Sequence, residues 1–127
     1  MDEPSILLID DEEAFVTTLQ ERLEMRGFSA AVAFDGQSGL DMIAENPPDV
    51  VVLDLRMPGI SGVEVLRRIR KQWPGLPVIM LSGHGSDLDF ETCIHLGAAM
   101  YHKKPLDIGT LIDSVHAVTQ GKQQPLR

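Results

Sequence analysis

Val50-Val51-Val52-Leu53-Asp54-Leu55-Arg56-Met57-Pro58-Gly59 is the stretch on which the fold turns. Val50 to Leu53 are apolar without interruption, and the first three are β-branched. Such a run reads as a strand buried on both faces, as in a parallel sheet covered by helices on each side. It stops on a carboxylate, and Pro58-Gly59 follows, so the strand closes at Asp54 or just after it. Open α/β sheets bind ligands just beyond the carboxyl ends of their strands. Asp54 is therefore a candidate site residue.

Working outward, the same pattern recurs on either side. Ile6-Leu7-Leu8-Ile9 is a buried strand followed at once by Asp10-Asp11-Glu12-Glu13, acids suited to the positive end of a helix. Phe15, Leu19 and Leu23 give that helix an apolar stripe, and Gly27 is placed to end it. Ser29 to Phe34 reads as a weaker strand. Asp35-Gly36 opens a short helix carrying Leu40, Met42 and Ile43, which Asn46-Pro47-Pro48 terminates.

Beyond Asp54, Ser61 and Glu64 have capping-box spacing, and Val63, Leu66 and Ile69 are the expected inward face of the next helix. Trp73-Pro74-Gly75 ends it, and Pro77 to Leu81 is a fourth strand running into Ser82-Gly83-His84-Gly85. Ser86 and Asp89 suit the cap of a helix carrying Phe90, Cys93 and Ile94, closed by Gly97. Ala98 to His102 is a short fifth strand, ending at Lys103-Lys104-Pro105. Asp107 suits the cap of a last helix with Leu111, Ile112, Val115 and Val118 on its buried face, and Gly121 is expected to end it. Met25, Met42, Met57, Met80 and Met100 read as core or loop filler. Regular alternation of strand and helix predicts an α/β fold with a doubly wound, five-stranded parallel sheet and helices on both faces. Residues 1–121 are expected to form one domain and 122–127 a polar tail or the start of a linker.

Bulk properties narrow the function classes. The 127 residues carry a net charge of −8, a surface that repels phosphate backbones and argues against direct nucleic-acid binding. Cys93 has no second cysteine to pair with, which suits a reducing cytosol. No apolar run has the length of a bilayer span and the N-terminus lacks signal-peptide character, so a cytoplasmic, non-inserted domain is expected.

Asp10 and Asp11, Asp54, Ser82 and Lys104 each sit at or just past the end of an apolar run. In an all-parallel sheet those ends share one edge. Three carboxylates gathered there repel one another unless a cation intervenes. A hard divalent ion with oxygen ligands answers the conflict. Mg²⁺ suits it best, because it binds through few carboxylates and keeps waters that a phosphoryl oxygen can replace. Asp10, Asp11, Asp54 and the backbone carbonyl of Arg56 are the expected protein ligands. Lys104 supplies a compact positive charge for a phosphoryl oxygen, Ser82 a neutral donor, and Gly83 close backbone approach. Asp54 becomes a nucleophile that carries phosphate as an acyl phosphate.

With those residues in place, the chain from Ile6 to about Val118 resembles the receiver domain of bacterial two-component response regulators. The resemblance rests on Asp10-Asp11, on Asp54-Leu55-Arg56-Met57-Pro58-Gly59 with Gly62, on Leu81-Ser82-Gly83-His84-Gly85, and on Tyr101 ahead of Lys104-Pro105. It implies the flavodoxin-like strand order 2-1-3-4-5. It also implies phosphoryl transfer to Asp54 from a sensor histidine kinase or histidine phosphotransfer protein, with Mg²⁺ or Mn²⁺ as cofactor. Ser82 and Tyr101 are the implied switch residues, remodelling a face built from the fourth helix, fifth strand and fifth helix. That face is expected to meet a downstream protein, an attached effector domain or, after phosphorylation, a second copy. Arg56 and His84 occupy the variable positions that tune phosphate lifetime, and the bond before Pro105 is expected to be cis. The family often has Thr where this chain has Ser82.

Three rival readings are weaker. A haloacid-dehalogenase-type phosphatase places an acid two residues after its nucleophile to protonate the leaving group, and here that residue is Arg56. The expectation is thus a phosphoacceptor, not an enzyme with sustained turnover. A flavin module needs a neutral loop after the first strand, where Asp10 to Glu13 stand. A degenerate receiver, binding partners without phosphorylation, lacks one of the acidic, hydroxyl or lysine positions that this chain retains.

Overall fold

The computed structural model describes residues 3–83 and 85–123. His84 and residues 124–127 lie outside the described residues. Five strands and five helices alternate: β1 (Ser5–Ile9), α1 (Glu13–Met25), β2 (Ser29–Ala33), α2 (Gly36–Glu45), β3 (Val50–Leu53), α3 (Gly62–Gln72), β4 (Val78–Ser82), α4 (Asp87–His95), β5 (Met100–Lys103) and α5 (Ile108–Gln123). The strands form one parallel sheet in the order β2-β1-β3-β4-β5. The expected fold class, strand order included, is observed.

Every residue of β3 and β4 is buried, which explains their uninterrupted apolar sequence. Alternate side chains leave each strand on opposite faces and build two separate cores. Leu7, Ile9, Val51, Leu53, Val78 and Met80 pack with Leu40, Ile43, Val65, Leu66, Ile69 and Cys93 of α2, α3 and α4. Ile6, Leu8, Val50, Val52, Ile79 and Leu81 pack with Val16 and Leu23 of α1 and Leu111 and Val115 of α5.

The caps carry most of the local logic. Asp35 accepts from the Ser38 amide at 2.8 Å, and Asp107 from the Gly109 amide at 3.0 Å. The Ser86–Asp89 capping box closes in both directions. At α3 only half the expected box forms: Ser61 accepts from the Glu64 amide at 3.2 Å, while the Glu64 carboxylate turns to Arg67 and Arg68. Each such cap is worth about 1 kcal/mol.

Three further expectations differ from the structure. Val65, which the expected stripe omits, is fully buried on α3 with Gly62, Leu66 and Ile69, while Val63 packs against the same core only partly buried, because a helical face follows i, i+3, i+4, i+7 and a strict three-residue spacing drifts to its edge. Met25 is 83% exposed at the end of α1 and fills no core. Helix α5 runs through Gly121 to Gln123. A glycine costs a helix about 1 kcal/mol but ends it only when the backbone turns left-handed. Gly27 and Gly97 do turn, at φ 92° and 103°.

Candidate functional site

Register puts the site together. Ile9 pairs with Leu53, so the residues that follow, Asp10 and Asp54, emerge side by side. The Asp54 amide donates to the Ile9 carbonyl at 2.9 Å and the Asp10 amide to that of Ala33 at 3.0 Å, extending the ladder one step past the strands. On the other side Ser82 pairs with Lys103, and the Lys104 amide donates to the Ser82 carbonyl at 2.9 Å. The bond between Lys104 and Pro105 is cis, as the resemblance implies.

Lys104 Nζ lies 2.8 Å from Asp10 Oδ2, 2.5 Å from Glu12 Oε1 and 3.8 Å from Asp54 Oδ1. It also sits 4.5 Å above the centre of the Phe15 ring. Asp10, Asp54 and Ser82 are buried. At Asp54 opens a depression of about 250 Å³ lined by Asp11, Glu12, Asp54, Arg56 and Gly83, roomy enough for a phosphoryl group.

Carboxylate oxygens of Asp10, Glu12 and Asp54 all lie within 4.8 Å of one another, a group able to hold a metal ion. Glu12 was not expected there. Its signal was Asp10 itself: an aspartate side chain accepts from the amide two residues on, and the bend this makes at Asp11 brings Glu12 back toward Asp10. The Glu12 amide donates to Asp10 Oδ1 at 2.9 Å, closing that short turn. Asp11 stands half-exposed on the rim, near enough for its charge to act on Asp54. Phe15 is the other residue that sequence reasoning assigned only to the core.

Electrostatics make the group hungry for a cation. Asp54 is pushed up to about 6, first by desolvation, then by the charge of Asp10, with Lys104 opposing and Asp11 adding to the rise. Burial also raises Asp10 above the usual carboxylate range, against the pull of Lys104. Hard oxygen donors in an anionic cluster, open to solvent on one side, fit a Mg²⁺ ion that retains several waters.

A pH dependence follows. Below about pH 3.8 Asp54 is protonated in both the folded and the unfolded chain. Between 3.8 and about 6 the folded state holds a proton that the unfolded chain has released, so stability falls as pH rises and levels off above about 6. The loss amounts to about 3 kcal/mol. Mg²⁺ should therefore raise the melting temperature strongly at pH 8 and weakly at pH 5, read by thermal unfolding with and without chelator. An equal rise at both pH values would contradict this account of Asp54.

Arg56 is exposed and pairs with Asp89 Oδ2 at 3.2 Å, tying the loop after β3 to the cap of α4. Tyr101 is half-buried, with its ring edge-on to Phe90 at 5.5 Å between centroids. Burial raises its phenol above the ordinary range, and Ser82 is near enough to counter part of the rise. His102 Nε2 lies 2.8 Å from Ser114 Oγ, which joins β5 to α5.

Known proteins bear on this arrangement. The family model described as the response regulator receiver domain matches residues 6–116. YkoG of Bacillus subtilis (strain 168), described as an uncharacterized transcriptional regulatory protein, is 40% identical over 117 residues, covering 92% of this chain and 51% of its own. Transcriptional regulatory protein AfsQ1 of Streptomyces coelicolor is 40% identical over 111 residues, covering 87% of this chain and 48% of its own. The chain thus spans about half the length of these curated relatives. A CheY-like receiver domain protein of Methanospirillum hungatei has the same fold, with a TM-score of 0.92 at 24% identity over 98% of this chain and all of its own. Among the described residues, no helix is long and apolar enough to cross a membrane. Fold, acidic strand ends and family match agree, and the chain belongs to the response regulator receiver domain family.

Proposed function

We propose that this receiver takes a phosphoryl group onto Asp54 in a Mg²⁺-dependent reaction and converts the added charge into a change of its α4–β5–α5 face. The observation that carries this reading is the meeting of Asp10 and Lys104 with Asp54, which itself lines an open depression. The donor is a phosphohistidine of a sensor kinase or of a phosphotransfer protein. An Asp54 carboxylate oxygen attacks phosphorus, the P–N bond breaks, and its electron pair leaves with the imidazole, which takes a proton. Asp10, Asp54, the Arg56 carbonyl and Asp11 or Glu12 would hold Mg²⁺, which would supply positive charge beside the transferring group. Lys104 moves from its carboxylates toward one phosphoryl oxygen, Ser82 donates to another, and Gly83 leaves room for both.

Phosphorylation brings roughly 1.5 to 2 negative charges and three strong acceptors. Reversing a 1:99 conformer ratio requires about 5.5 kcal/mol of differential interaction, which the new bonds from Ser82 and Lys104 supply. Tyr101 follows Ser82. Arg56 and His84 set how long the phosphate survives; Arg56 reaches it by leaving Asp89. The receiver unit extends to about Gly121, with 122–127 as a C-terminal tail or the start of a linker, and the relatives' extra length supports an attached effector domain. Leu88, Phe90 and Ile94, exposed on α4, suit a downstream protein or a phosphorylation-dependent second copy. The setting is the cytoplasm, and the only turnover is slow loss of the domain's own phosphate.

Acetyl phosphate with Mg²⁺ tests the reading: one phosphoryl group should appear at Asp54 by mass spectrometry. No label would favour the degenerate, phosphorylation-independent receiver. Ser82→Ala should still accept phosphate yet lose the accompanying change in amide spectra of α4 and β5. Normal changes in that variant would show that the signal takes another path.

A further inference from the structure

Glycine is found where a backbone turns left-handed or where a side chain would collide with something. Gly85, in the loop between β4 and α4, does not have a positive φ. Space is the remaining reason. A Cβ built on Gly85 would fall 2.8 Å from Tyr101 Cζ and well inside contact distance of Tyr101 Oη. Among the described residues that hydroxyl is buried without a hydrogen bond of good geometry, with the Ser82 side chain close by. Packing against the bare Gly85 backbone and the Phe90 ring, more than a well-formed hydrogen bond, holds it in place. The neighbouring Gly83 is different: a Cβ there meets only Lys104 side-chain atoms, at 3.8 Å or more.

We infer that Gly85 is the positioning residue for Tyr101: its missing side chain is the slot that admits the phenol, so any larger residue there displaces the aromatic ring from that slot. The regulatory weight of this slot rests on the reading of Tyr101 as the switch aromatic; the geometry of the slot does not.

Tyr101 is the only tyrosine in the chain, so biosynthetic 3-fluorotyrosine gives a single ¹⁹F resonance to follow. In the unsubstituted protein a soluble paramagnetic agent should leave that resonance largely unbroadened. In Gly85→Ala it should shift and broaden, whereas Gly83→Ala should leave it as it was. An unmoved, still protected resonance in Gly85→Ala overturns the inference. Thermal unfolding gives an independent arm. Gly85→Ala should lower the melting temperature, and the loss should vanish in a Tyr101→Ala background if the collision with the phenol is its cause. An equal loss in both backgrounds overturns the inference, and this arm still reads out if Gly85→Ala alone folds poorly. Acetyl phosphate labelling is run in parallel. Absence of label at Asp54 in every variant would defeat the phosphoacceptor reading while leaving the slot standing.

Discussion

Asp54→Asn should abolish labelling by acetyl phosphate and Mg²⁺ altogether, while the protein stays folded and its melting temperature at pH 8 in the absence of Mg²⁺ rises. Both halves follow from the same carboxylate. As an amide the side chain has no anionic oxygen to attack phosphorus, and the other buried acid of the cluster is not free to replace it: Asp10 is tied to Lys104 at 2.8 Å and to the Glu12 amide at 2.9 Å. Removing the charge also removes the cost of holding it dry beside Asp10. Asparagine keeps the volume, so the strand end need not repack. The gain should be up to about 3 kcal/mol above pH 6 and fade toward pH 4. Mass spectrometry reads the first effect and thermal unfolding the second. Persistent label would move the acceptor elsewhere, and an unchanged melting temperature would mean that Asp54 is better solvated than its position implies.

Gly62→Ala is the second large effect, and it is structural. Gly62 opens α3, and its amide donates to the Leu55 carbonyl at 2.8 Å, folding the loop after β3 back against the helix start. A Cβ there would come within 2.8 Å of the Leu55 Cα and carbonyl oxygen, and nearer still to the Asp54 carbonyl. Those atoms are backbone, so no side-chain rotation relieves the overlap. Small-to-large changes in packed sites cost about 1–3 kcal/mol, and this one belongs at or beyond the upper end. Alanine's better helix propensity returns at most about 1 kcal/mol. For a domain of this size the melting temperature should fall by roughly 10 °C. The loop that moves carries Asp54 and the Arg56 carbonyl, so labelling should slow as well. Gly75→Ala, which meets nothing within 4 Å, is the matched control and should leave both unchanged.

The residues legible from sequence were those whose meaning comes from their place in a run. Asp54 and Ser82 each close an apolar stretch, Asp10 follows one, and register does the rest. Lys104 was legible because a proline after a short strand marks where the chain must turn. What escaped depends on side-chain direction and on distant neighbours. Glu12 looked like one more helix-opening acid, and only its reach to Lys104 puts it in the cluster. Phe15 was assigned to the core, but its ring also carries the Lys104 ammonium. The apolar residues of α4 looked equivalent, yet Cys93 is sealed while Phe90 and Ile94 remain exposed. Gly85 looked like loop punctuation; its purpose belongs to a tyrosine on the next strand.

The sheet has a last consequence. Because alternate side chains leave each strand in opposite directions, the central strands act as a partition wall, with α2, α3 and α4 furnishing one room and α1 and α5 the other. Methyl groups lost on one side leave no void on the other, so damage in the two compartments should simply add. A lineage of such proteins can thus refurnish one room to suit a new acquaintance while the opposite compartment, and the acids along the top of the wall, stay as they are.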